Sequence, residues 1–374
     1  MYERETNRTH TIVIGGGQAG LTVGYYLKQR GIPFLILDAH QRVGDAWRNR
    51  WDSLRLFTPS RYSGLPGMPF PTRDGASPTK DEMADYLEAY AEAFDLPVLC
   101  GVQVDRLSKQ GNTFLVYSGS RRWEAQNVVV AMTNYQVPSI PAFASDLEPS
   151  IHQLHSHNYR NPSQLKSGDV LVVGAGNSAA DIAQEVSRSH RTWMSGKESG
   201  HIPWRVDTLA GRLIFSRIFR LVFHHVLTLD TPIGRKARPK MLHGAAPLVR
   251  VKPKDLIAAG VERVPRVAGV SAGKPLLDDG RTLAVKNVIW CTGYQPGFSW
   301  INIPIFDHHG LPNHERGVVP SVSGLYFVGL QFQYAMSSST LLGVARDAEF
   351  IVNALVERAQ TSRASGTEAE LAIA

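Results

Sequence analysis

Two strand, glycine-rich turn, helix, strand units begin 159 residues apart, at Gly15 and Gly174, in a chain of 374 residues, and two further apolar strands bracket the second unit. Together they predict an α/β protein with two dinucleotide-binding (Rossmann-like) domains, the second inserted into the first. With 43% hydrophobic and 20% charged residues the chain reads as an ordinary globular protein, which excludes disorder and fibres. No uninterrupted apolar run reaches about 18 residues, so no spanning helix is expected. Two cysteines, Cys100 and Cys291, provide neither a disulfide framework, nor a Cys-rich zinc site, nor a C-x-x-C pair. The start, MYERETNRTH, has no apolar h-region, so a cytoplasmic protein is expected.

The first unit runs from Thr11 to Asp38: the strand TIVI, the turn GGGQAG, the helical LTVGYYLKQRG and the strand FLIL. Gly15, Gly17 and Gly20 form G-x-G-x-x-G, in which the first glycine makes the tight turn, the second admits a pyrophosphate and the third lets helix pack on strand. The helix N-terminus then offers free N–H groups to the phosphate. Asp38 follows Gly20 by 18 residues and stands where a carboxylate accepts hydrogen bonds from adenosine ribose.

The second unit runs from Asp169 to Ser195: DVLVV, GAGNSA, ADIAQEVSRS and RTWMS. Gly174 and Gly176 fill the first two glycine positions, and Ala179 the third. Where the first copy ends in an acid, the second has Ser195-Gly196-Lys197, and a lysine without a carboxylate suits a ribose 2′-phosphate. NADPH is therefore expected ahead of NADH. A bound flavin needs a diffusible hydride donor, so one unit is assigned to FAD and the other to NAD(P)H.

The strands NVVVAMT (127–133) and NVIWCTG (287–293) read as the crossings between the domains. The expected division is an FAD domain in 1–162 and 287–374, with an NAD(P)H domain in 163–286 that carries a basic helical insert at about 205–254. After the return, 324–329 reads as a buried strand and 337–355 as a Ser-capped helix with an apolar face.

The turn GGGQAG (15–20), the run GDAWRNRWDSLRLFTPSRYSGLPGMPFP (44–71), HSHNYRNP (155–162), GAGNSA (174–179) and CTGY (291–294) together make the chain resemble the flavin-containing monooxygenase superfamily, over nearly its whole length. Dithiol reductases share two dinucleotide folds but need a cysteine pair beside the flavin, which this chain lacks. The resemblance implies that Gly15, Gly17 and Gly20 cradle the FAD pyrophosphate, Asp38 its ribose, and that Trp47 packs close to the flavin. It places the nicotinamide dinucleotide on Gly174, Gly176, Asn177 and Ser178. Gln18, Ala19, Val104, Lys197, Thr292 and Gly293 complete the expected cofactor-binding set, with Thr58 and Asn177 as catalytic candidates. It further implies oxygenation of a small organic substrate, at nitrogen or sulfur or in a Baeyer–Villiger reaction, through a C4a-(hydro)peroxyflavin formed with NAD(P)H and O₂. A flavoprotein reductase or oxidase without oxygen transfer is the alternative. The F-x-G usual ahead of the family's His is absent before His155, and Thr58 stands near where several members carry Asn.

The net charge of +7 is local: residues 201–254 hold 11 Lys and Arg against Asp207 and Asp230. Within it, 213–229 (LIFSRIFRLVFHHVLTL) reads as an apolar helix with Arg217, Arg220 and His224 on one face. The roles considered are, in order, a substrate lid or partner interface such as a homodimer contact, a packing helix, and weak membrane-surface contact. Nucleic acid ranks below these, because no binding fold accompanies the charge. Adjacent His224 and His225 point about 100° apart on a helix and cannot share a metal as an i, i+4 pair would, so no metal is expected.

Overall fold

The computed structural model describes residues 7–71, 77–198, 200–203, 208, 219–243 and 247–371. The first unit folds as β1 (Asn7–Ile14), α1 (Gln18–Gln29) and β2 (Phe34–Leu37), followed by the short α2 (Asp45–Arg48), α3 (Lys80–Ala93) and β3 (Val98–Leu99). A meander of β4 (Arg106–Gln110), β5 (Thr113–Ser118) and β6 (Arg121–Val130) comes next. These strands order as β3-β2-β1-β6-β5-β4. The first half of β6 pairs antiparallel with β5, while its second half pairs in parallel with the late strand β16 (Leu325–Phe327). The chain thus completes the first sheet only after some 200 intervening residues.

α1 lies against the C-terminal helix α7 (Val344–Leu371), with Leu21, Val23 and Leu27 meeting Ala348, Ile351, Val352 and Leu355 in one buried cluster. α7 begins at Val344, later than the expected 337. Ser338 is occupied before it, its hydroxyl accepting from the backbone N–H groups of Tyr334 and Ala335 at 3.0 Å each, so 337–343 forms turns. Such local acceptor chemistry is why serine competes with helix as readily as it caps one.

The chain leaves the first sheet through β7 (Val137–Pro138) and enters the second at β8 (His152–His155), which precedes β9 (Val170–Val173), α4 (Asn177–Val186) and β10 (Thr192–Ser195). Helices α5 (Pro232–His243) and α6 (Pro253–Ala258) lead to β11 (Glu262–Val264), the hairpin β12 (Val267–Ser271) and β13 (Lys274–Leu277), and β14 (Asn287–Trp290). The second sheet orders as β11-β10-β9-β14-β8, all parallel. Every residue of β9, β10 and β14 is buried, as in central strands of a parallel sheet covered on both faces.

Strand pairing moves the expected edges at 162 and 287. Both His152–His155 and Asn287–Trp290 lie in the second sheet, because β14 hydrogen-bonds between β8 and β9. The crossings themselves are short: after β14 the chain returns through β15 (Tyr294–Gln295), which pairs antiparallel with β7.

Candidate cofactor-binding site

The two glycine turns share one construction. Gly15 N–H donates to Leu37 O at 2.8 Å, and Gly174 N–H donates to Ser195 O at 2.7 Å. Both first glycines take positive φ, +109° and +135°, and a Cβ on either would strike a carbonyl oxygen of the neighbouring strand's end, Ala131 O at 2.8 Å or Cys291 O at 2.3 Å. Only glycine fits there. The second glycines differ in kind: a Cβ on Gly17 or Gly176 would meet nothing within 4 Å. Each of these residues caps its helix without any side-chain hydrogen bond, so no cap side chain takes the first-turn N–H groups of α1 and α4. A backbone shaped this way accepts a diphosphate at both turns. Gln18 and Ala19 open α1, with Ala19 buried beneath Gly329.

Asp38 is a buried carboxylate at the end of β2. One oxygen accepts from Gly16 N–H at 2.5 Å, the other from His40 N–H at 2.7 Å and from His40 Nδ1 at 3.0 Å. Burial pushes its pKa up, but these hydrogen bonds and the His40 charge outweigh it and hold the carboxyl below its ordinary value. The same hydrogen bond raises His40. Gly101 N–H and Val102 N–H donate to the carbonyls of His40 and Asp38. Val104 is buried in the sheet's core. Trp47, on α2, is half-buried against the core that α1 shares.

At the second turn the strand end carries no acid, and Ser195 is turned inward: its hydroxyl donates to Pro265 O at 2.8 Å and accepts from Val267 N–H at 3.0 Å. Lys197 is exposed. The better-held cation beside it comes from β11: Arg263 donates to Gly196 O at 2.7 Å, and its pKa is lowered by burial. Sequence gave no signal for Arg263, since the pairing of β10 with β11 joins residues almost 70 apart. Ser178 is half-buried on α4.

The two catalytic candidates are hydrogen-bonded to the protein's own loops. Asn177 accepts from Val249 N–H at 2.8 Å and donates to Pro247 O at 3.1 Å, so its amide pins the 247–249 loop to α4. Thr58 is buried, with its hydroxyl 3.1 Å from Ser63 Oγ, and Ser63 also donates to Pro59 O. Thr58 thus acts within its own loop, whereas Asn177 holds a loop distant in sequence. Thr292 and Gly293 likewise serve the crossing: Thr292 donates to Ser139 O, and Gly293 O accepts from Ser139 N–H at 2.9 Å.

That crossing gathers residues the sequence did not single out as a group. His155 Nδ1 accepts from His157 N–H at 3.1 Å, which leaves the proton on Nε2 to donate to Gly293 O at 3.1 Å. Burial lowers the pKa of both histidines. Tyr294 meets the His155 ring edge-on at 5.1 Å and accepts from Arg50 at 3.2 Å. Arg50 follows α2 of the first sheet, so this contact ties the loop after α2 to the crossing. Cys291 is half-buried beside it, its thiol pushed up to about 12 by desolvation, and is inert.

The described part of the basic insert docks on the first sheet. Leu229 N–H donates to Tyr334 O, Met336 N–H to Leu227 O, Arg346 to His224 O at 2.6 Å, and Tyr334 to Asp230 at 2.6 Å. Part of its charge is structural. Lys252 is buried and donates to the carbonyls of Ile202, Leu248 and Val249, while Arg250 pairs with the buried Asp181 at 3.0 Å. Arg217 and the rest of 213–218 lie outside the described residues. His224 lies 3.0 Å from Ser337, and no group able to hold a metal occurs among the described residues. No helix among them is long and apolar enough to cross a membrane.

The signature of the pyridine nucleotide-disulphide oxidoreductase family matches residues 12–201. The uncharacterized CzcO-like oxidoreductase of Geobacillus kaustophilus is 41% identical over 91% of this chain and 97% of its own length. The indole-3-pyruvate monooxygenase YUCCA1 of Oryza sativa subsp. japonica is 27% identical over 92% of each chain. Among solved structures, a flavin-containing monooxygenase from Stenotrophomonas maltophilia superposes with a TM-score of 0.77 and 29% identity, covering 95% of this chain and all of its own.

Proposed function

Because the chain belongs to the pyridine nucleotide-disulphide oxidoreductase family and, within it, is a flavin-dependent oxidoreductase of the flavin monooxygenase superfamily, we propose that it transfers one oxygen atom of O₂ to nitrogen, sulfur or a ketone carbonyl of a small organic substrate. Its cofactors are FAD and NADPH. When bound, FAD would supply hydride acceptance from NADPH and activation of O₂.

The chain's own residues bind, orient and exclude. At the first turn, the N–H groups of α1 and the open face of Gly17 receive the FAD pyrophosphate, and Asp38, kept ionised, accepts from the ribose. At the second, Gly176 and α4 receive the coenzyme pyrophosphate, while Arg263 and Lys197 meet the 2′-phosphate. Asn177 and Ser178 support that loop. The hinge around His155, Tyr294 and Arg50 sets the two sites against each other, and the docked insert over 331–346 keeps water from the junction. Family membership in a chain with no C-x-x-C carries this reading, since it argues against dithiol chemistry beside the flavin. The relative in rice is named for a small organic acid, which fits a small substrate here.

The test is an oxygen balance. Purified holoenzyme is given NADPH and O₂ with thioanisole, N,N-dimethylaniline or cyclohexanone, and oxygenated product and hydrogen peroxide are both measured. Product formed in step with NADPH consumption supports the reading. Peroxide equal to the NADPH consumed with every probe makes the protein an oxidase instead.

A further inference from the structure

A second cavity, of about 200 Å³, lies between α5 of the basic insert and the first sheet. Its polar lining includes Asn134, Arg238, Asp307, His309, His314 and Gln331. Asn134 follows β6 and Gln331 follows β16, so the floor sits at the carboxyl ends of two adjacent parallel strands, where open α/β sheets bind ligands. Gln331 fixes the roof, donating to Met241 O of α5 at 2.9 Å, and its own N–H donates to Asn134 Oδ1 at 3.2 Å.

The lining offers mostly donors. Arg238 has no hydrogen-bond partner among the described residues, and its Nε is buried. Arg238 as a whole is half-buried, and a buried Nε with nothing to donate to costs stability unless a ligand meets it. His314 accepts at Nδ1 from Gly317 N–H at 3.2 Å, so the proton stands on Nε2 and faces away as a donor. Burial, aided by the Arg238 charge, pushes its pKa down to about 4 and keeps it neutral. With its Oδ1 taken by Gln331, Asn134 has its amide N–H groups left to give. Asp307 is the one acid in the lining; it forms no ion pair with Arg238, and one of its oxygens already accepts from His309 N–H and Leu311 N–H at 2.9 Å.

We propose that this cavity binds the carboxylate of an organic acid substrate, with Arg238 as the anchor and His314 Nε2–H and the Asn134 amide as further donors. The proposal rests on the monooxygenase reading for the word substrate, and on the cavity alone for the carboxylate. The cofactors' diphosphates have their own places at Gly17 and Gly176. A planar guanidinium matches a carboxylate with two parallel hydrogen bonds, and a neutral amide of the same shape forfeits the charge-assisted part.

The experiment titrates benzoate, its neutral isostere benzamide and inorganic phosphate into FAD-loaded enzyme by calorimetry, without turnover, so that its outcome is independent of any oxygenation. Benzoate is expected to bind about tenfold to a hundredfold more tightly than benzamide and phosphate in the wild type. Arg238→Gln should remove that difference, and Asn134→Ala should reduce it a few-fold, with flavin content and melting temperature confirming that each variant is folded. Equal binding of benzoate and benzamide by the wild type, or an Arg238→Gln preference unchanged from wild type, overturns the site. Phosphate bound as tightly as benzoate overturns its assignment to substrate and makes it a free-anion site.

Discussion

The two glycine turns are near copies up to the third position and part company after it. At Gly20 a Cβ would stand 1.8 Å from Gly15 O, whereas the second unit carries Ala179 there, fully buried and accommodated. The first strand pair ends in Asp38, a carboxylate held ionised by donors from Gly16 and His40; the second ends in Ser195, tied to the β11–β12 connection. In the proposed reading the same backbone makes a site for a phosphate twice, and the strand end decides which nucleotide each one suits: an acid for ribose hydroxyls, or the Arg263 guanidinium for a phosphate.

The sharpest way to break this comparison is at the third glycine. Gly20→Ala should destabilise the fold by roughly 3 kcal/mol, since the obstacle is backbone that has no room to move, and the protein should purify without flavin. Ala179→Gly should cost about 1 kcal/mol of helix propensity and retain both cofactors. Urea midpoints and flavin absorbance read both; a flavin-replete, wild-type-stable Gly20→Ala protein would refute the steric account of the first turn.

The second glycines separate the two sites without touching the fold. Gly17→Ala and Gly176→Ala place a methyl in open space, so stability should hold within about 0.5 kcal/mol. Gly17→Ala is expected to weaken FAD on the order of tenfold, and Gly176→Ala to raise the KM for NADPH by a similar factor with flavin retained. If either change weakened both cofactors equally, the turns would not be separate sites.

A smaller effect tests the strand ends. Arg263→Gln should lower the preference for NADPH over NADH about tenfold, as loss of a charge-assisted hydrogen bond does. Lys197→Ala, at an exposed side chain, should lower it by about twofold. Steady-state kinetics with the two coenzymes checks the order, and the reverse ranking would return specificity to Lys197.

The smallest effect is a pH dependence confined to the first unit. His40 is raised by Asp38, so its contribution is complete below the imidazole's unfolded value and is lost as pH rises through the higher folded value. Asp38 is lowered, so its contribution is present above the carboxyl's unfolded value and disappears as pH falls through the lower folded one. From pH 6 to 8 the wild type should therefore lose stability relative to His40→Gln. The His40 side chain is 40% exposed, which keeps the change under about 1 kcal/mol. Melting temperatures of the two proteins that run parallel across this range would dismiss the coupling.

Both nucleotide units were legible in the residues because their determinants are local. Gly15, Gly17 and Gly20, Gly174 and Gly176, and Asp38 act through φ angles, missing Cβ atoms and positions a few residues apart, and FLIL and VLVV announce buried strands by composition. Thr58 and Asn177 were chosen by residue type and place in a motif, but a polar atom's role depends on which partner reaches it first. Ser63 and the 247–249 backbone reach these two.

The rest was decided by strands and loops distant in sequence. β14 inserts between β8 and β9, which carries residues 152–155 and 287–290 into the second sheet; no local pattern distinguishes an apolar strand that joins one parallel sheet from one that joins another. Arg263 reaches Gly196 across the β10–β11 pairing, and Arg238 reaches the ends of β6 and β16 from an insert about 100 residues away. Backbone conformation and burial are written in short stretches of chain, while the meeting of charges and donors across elements follows from how those stretches pack, and only the folded molecule brings it about.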